Sequence, residues 1–331
     1  GDEPFRPNSV FMRSLIWLAL ASIIFVATAA ADHHWLRTFA WPIYGISIAL
    51  LVLTLVAGSG VGGVHRWVPI FGLQFQFSEV TKILLAVVLA HYLATRESDI
   101  GSFRTLVGAG LVVVPLLGLV LIQPDLGTSL VFGAIMLGSL FFAGASLRWL
   151  TVTVLGALAM EPLAWEFILR DYQTQRLVAF MDPAADPLGA GYQLQQSQIT
   201  VGSGGLFGRG LTNSLAGQNL PVGSTDFVFA HVGEQLGFLG GSVVLVLFAL
   251  LIWRVLHVGW RAGDTFTLAF AGGIAGMLLF QMIINIGMVL GAMPITGLPL
   301  PFVTYGGASL LSAALGLGIL ESLAMRRSRS T

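Results

Sequence analysis

The sequence predicts an all-α fold, a polytopic membrane helix bundle. Three observations carry that expectation. Of 331 residues, 56% are hydrophobic and only 10% are charged, whereas soluble domains carry about 25% charged residues. Mean hydropathy is +0.86, which implies more apolar surface than such a chain can hide in its own core. The apolar residues also fall into nine runs of about the 20 residues a helix needs to cross a bilayer.

The runs lie near 11–31, 36–57, 79–95, 105–122, 127–145, 148–168, 227–253, 265–291 and 306–325. The first is too long for a signal-peptide core and is followed by more spans, so it reads as a retained helix. The fourth and fifth are joined only by "QPDLG" at 123–127, a tight helical hairpin. The chain reads as one integral membrane domain, 1–331, interrupted by a polar, glycine-rich loop at 169–225. A connection this long inside a compact bundle is usually functional. Near the end, "INIGMVLGAMPITGLPLPFVTYGGASL" (284–310) has three prolines within 294–301 and then Gly306 and Gly307. That pattern predicts a re-entrant or tightly folded hairpin, whose irregular backbone must be buried in protein or line a cavity.

Charge sets orientation and excludes some functions. Formal net charge is +0, so no basic excess points to nucleic acid, and the absence of cysteine excludes disulfides, zinc–thiolate sites and thiol catalysis. Lys82 is the only lysine; the other cations are arginines. With "RRSRS" placed in the cytoplasm, the loops on that side hold Arg37, Arg96, Arg104, Arg148, Arg254 and Arg261, while the opposite short loops hold Arg66. The long loop and the N-terminus then lie outside, and nine spans put the termini on opposite sides.

Ionisable residues inside spans are costly unless paired or wet. Glu79 and Lys82 in "FSEVTKILLAVV" are spaced i, i+3 on one helical face. They read either as a self-neutralising pair at a helix entrance or as the charged wall of an outward cavity. Asp125 reads as a helix N-cap or a pocket residue. Asp226 stands before the seventh run, at the top of a stripe of Ala230, Gly233, Gly237 and Gly240. Such a stripe lets a helix or a ligand chain approach closely. His231 reads as a packing residue and Glu234 as a buried structural carboxylate. "GSGGLFGRG" (202–210) is a glycine cluster of the kind that can cradle phosphate, but it lacks the P-loop pattern and reads equally as an ordered cap. Arg176 in "DYQTQR" offers an anion contact.

These stretches together resemble the SEDS family, the shape, elongation, division and sporulation proteins of the bacterial cell wall. The matching motifs are "HRW" (65–67), "SEVTK" (78–82), "QPDLGTS" (123–129), "DYQTQR", "DPLGAGYQLQQSQITVGSGGLFGRG", "STDFVFAHVGEQLGF" and "NIGMVLGAMPITGLPLPFVTYGGAS", in family order along nearly the whole chain. "PITG" before "LPLPF" is similar to the elongation member; the division member usually has lysine at the position of Thr296. The family has ten spans with both termini inside, so the resemblance implies that the first family helix precedes Gly1. The chain departs from the family at Phe77, where a proline is usual, and at Gln74 and Gln198, where basic residues are common. "MEP" at 160–162 is also unusual.

The resemblance implies a peptidoglycan glycosyltransferase. It would polymerise lipid II, an undecaprenyl-diphosphate-linked disaccharide pentapeptide, on the outer face of the cytoplasmic membrane, for cell elongation and rod shape. Asp226 matches the required family aspartate and is the expected catalytic residue. Arg66, Glu79, Lys82, Asp125 and Arg176 are the expected substrate-binding residues, converging with Asp226 on one outward polar pocket. The expected partner, besides membrane lipids, is a class B penicillin-binding protein transpeptidase. A divalent cation such as Mg or Mn would assist at the diphosphate, although no ligand cluster demands one. Two other readings compete. A lipid II flippase would want polar residues through the whole bilayer depth, of which only Gln281, Asn285 and Glu321 lie in the inner half. A non-catalytic scaffold for the transpeptidase would use the long loop as a docking surface.

Overall fold

The computed structural model describes residues 10–32, 34–58, 66–70, 73–167, 169–210 and 225–327. His65 and the segments 1–9, 211–224 and 328–331, on which parts of the motif and orientation readings rest, lie outside the described residues, as does the side chain of Glu161. The helices are α1 (Val10–Ala30), α2 (His34–Thr38), α3 (Ala40–Ala57), α4 (Phe77–Ala94), α5 (Phe103–Ile122), α6 (Leu126–Ala143), α7 (Leu147–Ala159), α8 (Glu161–Phe167), α9 (Asp171–Met181), α10 (Ala190–Ser203), α11 (Val228–Ala262), α12 (Thr265–Val289) and α13 (Gly307–Arg327). Strands β1 (Val68–Ile70) and β2 (Leu73–Phe75) form a small antiparallel ribbon before α4.

Among the described residues, eight helices are long and apolar enough to span a membrane: α1, α3, α4, α5, α6, α11, α12 and α13. The sixth predicted run is instead divided into α7 and α8 around Met160. Pro162 explains the division. It has no N–H for the Leu158 carbonyl and its ring would strike that carbonyl, so it is best accommodated in the first turn of a new helix. Pro42 acts likewise on Thr38, and the second run is broken at Phe39 between α2 and α3.

The chain divides into two compact units. The first comprises Gly1–Thr153, Trp253–Met277 and Tyr305–Thr331. Its centre is α4, buried along most of its length and packed by α3, α5, α6 and α13, while α1 lies against α13. Backbone approaches closely where α6 meets α12: a Cβ on Gly138 would stand 2.3 Å from Gly272 O, and one on Gly276 would stand 2.7 Å from Ala134 O. Without apolar contrast between helix and lipid, such small-residue contacts are what hold spans together.

The second unit comprises Val154–Ile252 and Leu278–Thr304. Its core joins Leu194, Phe227, Phe229, Phe248, Ile286 and Leu300, among others. The described part of the predicted loop is largely helical, as α9 and α10. The inward residues of α10 are Gly191, Leu194, Ser197 and Thr200, an i, i+3 pattern masked by the glutamines between them. Ser197 and Gln198 of α10 donate to the carbonyls of Val289 and Leu290 at the end of α12. There Gly291, at φ 76°, terminates the helix with Ala292 N donating to Gly287 O and Gly291 N to Met288 O, a Schellman ending.

The continuous glycine stripe expected below Asp226 is not formed. Gly237, at φ 68° and ψ −167°, breaks α11, and its conformation is essentially restricted to glycine. The segment 205–210 replaces the lost helical bonds. Arg209 N and Gly210 N donate to the carbonyls of Glu234 and Gln235, and Phe238 N and Leu239 N donate to Gly205 O and Leu206 O. The glycine cluster is therefore a staple across a broken helix. The small residues do admit a close neighbour, but it is this segment: a Cβ on Gly204 would lie 2.0 Å from Gly233 O and one on Gly208 would lie 2.2 Å from Gln235 O.

Candidate functional site

Four of the predicted site residues lie in the first unit. Gln76 precedes α4 and donates to Asp125 Oδ2 at 3.0 Å. Asp125 caps α6, accepting from Thr128 N at 3.1 Å and from Thr128 Oγ1 at 3.0 Å. Asp125, 7% exposed, thus fulfils the capping alternative. Arg66 meets the same hairpin. Its Nε donates to Gln123 O at 3.1 Å, and its Nη2 donates to the Pro124 carbonyl. Gln123 is itself buried and donates to Leu51 O. Arg66 and Asp125 therefore both hold the α5–α6 turn.

One turn into α4, Lys82 Nζ stands 2.8 Å from Glu79 Oε2, with the two side chains 1% and 3% exposed. The contact is close but poorly aligned for a hydrogen bond. It is a buried ion pair, the self-neutralising arrangement that the i, i+3 spacing allows. Breaking such a pair is costly because the remaining charge is left uncompensated in a low dielectric.

Asp226 and Arg176 lie in the second unit. Asp226 occupies the 3-10 turn Thr225–Phe227, just before α11. Phe227 anchors that turn in the apolar core at 1% exposure, and Asp226 is half-buried. Arg176 projects from α9, passes over the Tyr172 ring at 5.7 Å, and reaches Ile295 O at 3.5 Å. Both charged groups lie beside Gly297. A Cβ on that residue would stand 3.3 Å from Asp226 Oδ2 and 3.6 Å from Arg176 Nη1, and its φ is 74°. The irregular stretch after α12 is thus the predicted tight fold, and Gly297 leaves room where the carboxylate and guanidinium approach. Asn285, fully buried on α12, donates to Asp226 O at 2.9 Å and to Leu298 O at 2.8 Å. Thr296 Oγ1 is enclosed at the same turn without a hydrogen-bond partner.

Of the other residues weighed from sequence, Glu234 is fully buried and His231 partly so. An apolar groove of about 280 Å³ lies on the break in α11, lined by Phe229, Gly233, Gly237, Phe238 and Leu245 and by Ile286 of α12. Sequence reasoning missed Asn285, Gly297, Gln76 and Gln123 as site residues. The available signal for Asn285 was an amide in the apolar stretch "MIINIG", where an unpaired polar group is costly. Among the described residues, no three His, Asp or Glu side chains converge as a metal-ligand set. Among the described residues, the charged group beside Asp226 at Gly297 is the Arg176 cation, which does not fit a divalent ion there, and no step is routed through one.

The comparisons with known proteins agree along the whole chain. The family model FTSW_RODA_SPOVE, described as cell cycle protein, matches residues 3–329. Peptidoglycan glycosyltransferase MrdB of Escherichia coli K12 is 38% identical over 317 residues, 95% of this chain and 85% of that protein. Stage V sporulation protein E of Bacillus subtilis is 35% identical over 325 residues, 97% of this chain and 88% of its own. Among solved structures, Thermus thermophilus rod shape determining protein RodA aligns with a TM-score of 0.71 and 30% identity, covering 99% of this chain and 91% of that one. A chain from a study of the structural coordination of polymerization and crosslinking by a peptidoglycan synthase complex aligns with a TM-score of 0.81 and 33% identity, covering 97% of this chain and 90% of that one. An all-helical membrane fold, the order of the motifs and this agreement over almost every residue lead to one assignment: the chain belongs to the FtsW/RodA/SpoVE family, the SEDS proteins.

Proposed function

We propose that this chain is a peptidoglycan glycosyltransferase that polymerises lipid II, with Asp226 as its general base. The observation that carries the reading is the half-buried Asp226 carboxylate beside the Arg176 guanidinium at Gly297, in a chain 38% identical to a protein named for this activity. The donor MurNAc is α-linked to diphosphate and the glycan product is β-linked, so one inverting displacement suffices. The GlcNAc 4-hydroxyl of the acceptor attacks C1 of the donor. As the O4–C1 bond forms, the C1–O bond to the undecaprenyl diphosphate breaks, and the hydroxyl proton passes to Asp226. Negative charge grows on the departing diphosphate, and a cation close to the base is suited to offset it; Arg176 takes that role.

The apolar groove on the α11 break would take the prenyl chain. Arg66 and Asp125 hold the α5–α6 turn and Glu79 and Lys82 form a buried pair in α4, so these four residues are assigned to shaping the first unit. The site faces outward from the bacterial cytoplasmic membrane, the 169–225 connection lies on that outer side, and the partner is a class B penicillin-binding protein transpeptidase. The Thr296 motif favours the elongation role over division.

The test is polymerisation of lipid II by the purified protein and by Asp226→Asn, with moenomycin present to silence contaminating glycosyltransferases. Wild type should make glycan, and Asp226→Asn should lose about 10²-fold or more of the rate while keeping its fold and its partner. Near-normal polymerisation by the variant would remove Asp226 from this role. No polymer from wild type, with lipid II scrambling in vesicles, would support a flippase instead.

A further inference from the structure

Asn285 is fully buried, and its amide nitrogen donates at 2.9 Å to Asp226 O and at 2.8 Å to Leu298 O. Both partners are carbonyl oxygens, which only accept, so the orientation of the amide is settled by chemistry: the NH₂ must face them. A hydroxyl could satisfy only one of the two, and a carboxylate neither. The two carbonyls belong to segments far apart in the chain. One is the turn that carries Asp226. The other is the 295–300 turn, whose Gly297 abuts Asp226 Oδ2 and Arg176 Nη1 and whose Ile295 O receives Arg176 Nη1. The side-chain oxygen of Asn285 is enclosed without a hydrogen-bond partner. The two bonds that Asn285 donates tie these two turns together, and an apolar residue would leave both carbonyls unpaired.

We infer that Asn285 is a positioning residue for glycosyl transfer. It fixes the Asp226 turn against the 295–300 turn, so that the carboxylate and the Arg176 guanidinium flank the space beside Gly297. The inference rests on the reading of Asp226 as the base.

The test compares Asn285→Ala, Asn285→Ser, Val244→Ala and Asp226→Asn with wild type, measuring kcat and KM for lipid II and the thermal midpoint in detergent. Displacing a reacting group by about 1 Å costs on the order of 10²-fold. Asn285→Ala should therefore lower kcat by about 30- to 100-fold while KM changes by less than about threefold. Asn285→Ser, with one donor, should recover part of the loss. Val244, partly buried against the same core, is the stability control: Val244→Ala should lower the midpoint and keep kcat. If Asn285→Ala cannot be recovered folded, Asn285→Gln, which keeps the NH₂ but shifts it by a methylene, should show the same low kcat at wild-type KM. The inference is overturned if Asn285→Ala keeps kcat within about threefold of wild type, or loses activity only in proportion to unfolded protein as Val244→Ala does. Normal polymerisation by Asp226→Asn would instead overturn the reading of the base, whatever Asn285 does.

Discussion

Replacing Gly237 by alanine tests how the second unit is held together. At φ 68° and ψ −167°, a residue with a Cβ pays about 1–3 kcal/mol. The new Cβ would also meet Gly208 N at 2.3 Å and Leu206 O at 2.6 Å, and both are backbone atoms that cannot swing aside. The alternative is for residue 237 to turn helical. Phe238 N and Leu239 N would then bond to the carbonyls of Glu234 and Gln235, the groups that now pair with the 205–210 segment. Two helical bonds would replace four cross-links. At about 1 kcal/mol per bond, the net loss is about 2 kcal/mol, less about 1 kcal/mol regained in helix propensity. By either route the staple weakens by about 1–3 kcal/mol, which is roughly 5- to 150-fold in its opening constant. Hydrogen–deuterium exchange of peptides covering 204–210 reads this directly. Gly202→Ala is the control, because a Cβ there meets nothing within 4 Å and a compatible Gly→Ala change stabilises by about 0.4–1 kcal/mol. Exchange at 204–210 that is unchanged in Gly237→Ala, with an unchanged melting midpoint, would refute the staple.

Two further outcomes are expected in the first unit. Lys82→Met strands the Glu79 carboxylate, 3% exposed, and should cost about 3–5 kcal/mol, whereas the double change Glu79→Gln with Lys82→Met should cost less. Equal melting midpoints for the single and double variants would show that the pair is not buried as described. Asp125→Ala removes the α6 cap, worth about 1 kcal/mol, together with the bonds from Gln76 and Thr128 Oγ1. Adding Gln76→Ala to it should then cost less than Gln76→Ala alone, by about 0.5 kcal/mol or more, as read by a thermal double-mutant cycle.

The site was legible in uneven parts. The i, i+3 spacing of Glu79 and Lys82 contained their pairing, because two charges one turn apart on a buried helix have few other partners. Asp125 before Gly127 and Thr128 contained its cap for a similarly local reason. Asp226 stood out as an acid at the start of an apolar run, yet the stripe drawn beneath it assumed a regular helix. Periodicity alone could not show that Gly237 leaves the helix, because glycine is compatible with both states and the choice depends on the segment at 205–210 that replaces the lost hydrogen bonds. Asn285 was visible only as a polar intruder in an apolar run, since its two partners lie 59 and 13 residues away.

The sequence by itself determined the membrane bundle, nearly all of its spans and the local pairs, since these follow from hydropathy over about 20 residues and from side-chain spacing within one turn. Proline marked the places near Phe39 and Met160 where helices could break, but Pro115 lies inside the continuous α5, so proline alone did not decide the breaks. Only the tertiary structure decided what the glycine cluster does, which carbonyls Asn285 ties together, and that Arg176 and Asp226 both lie beside Gly297. Those are contacts between segments far apart in the chain, and they exist because buried backbone groups at a broken helix and in an irregular turn must find partners wherever the fold brings them.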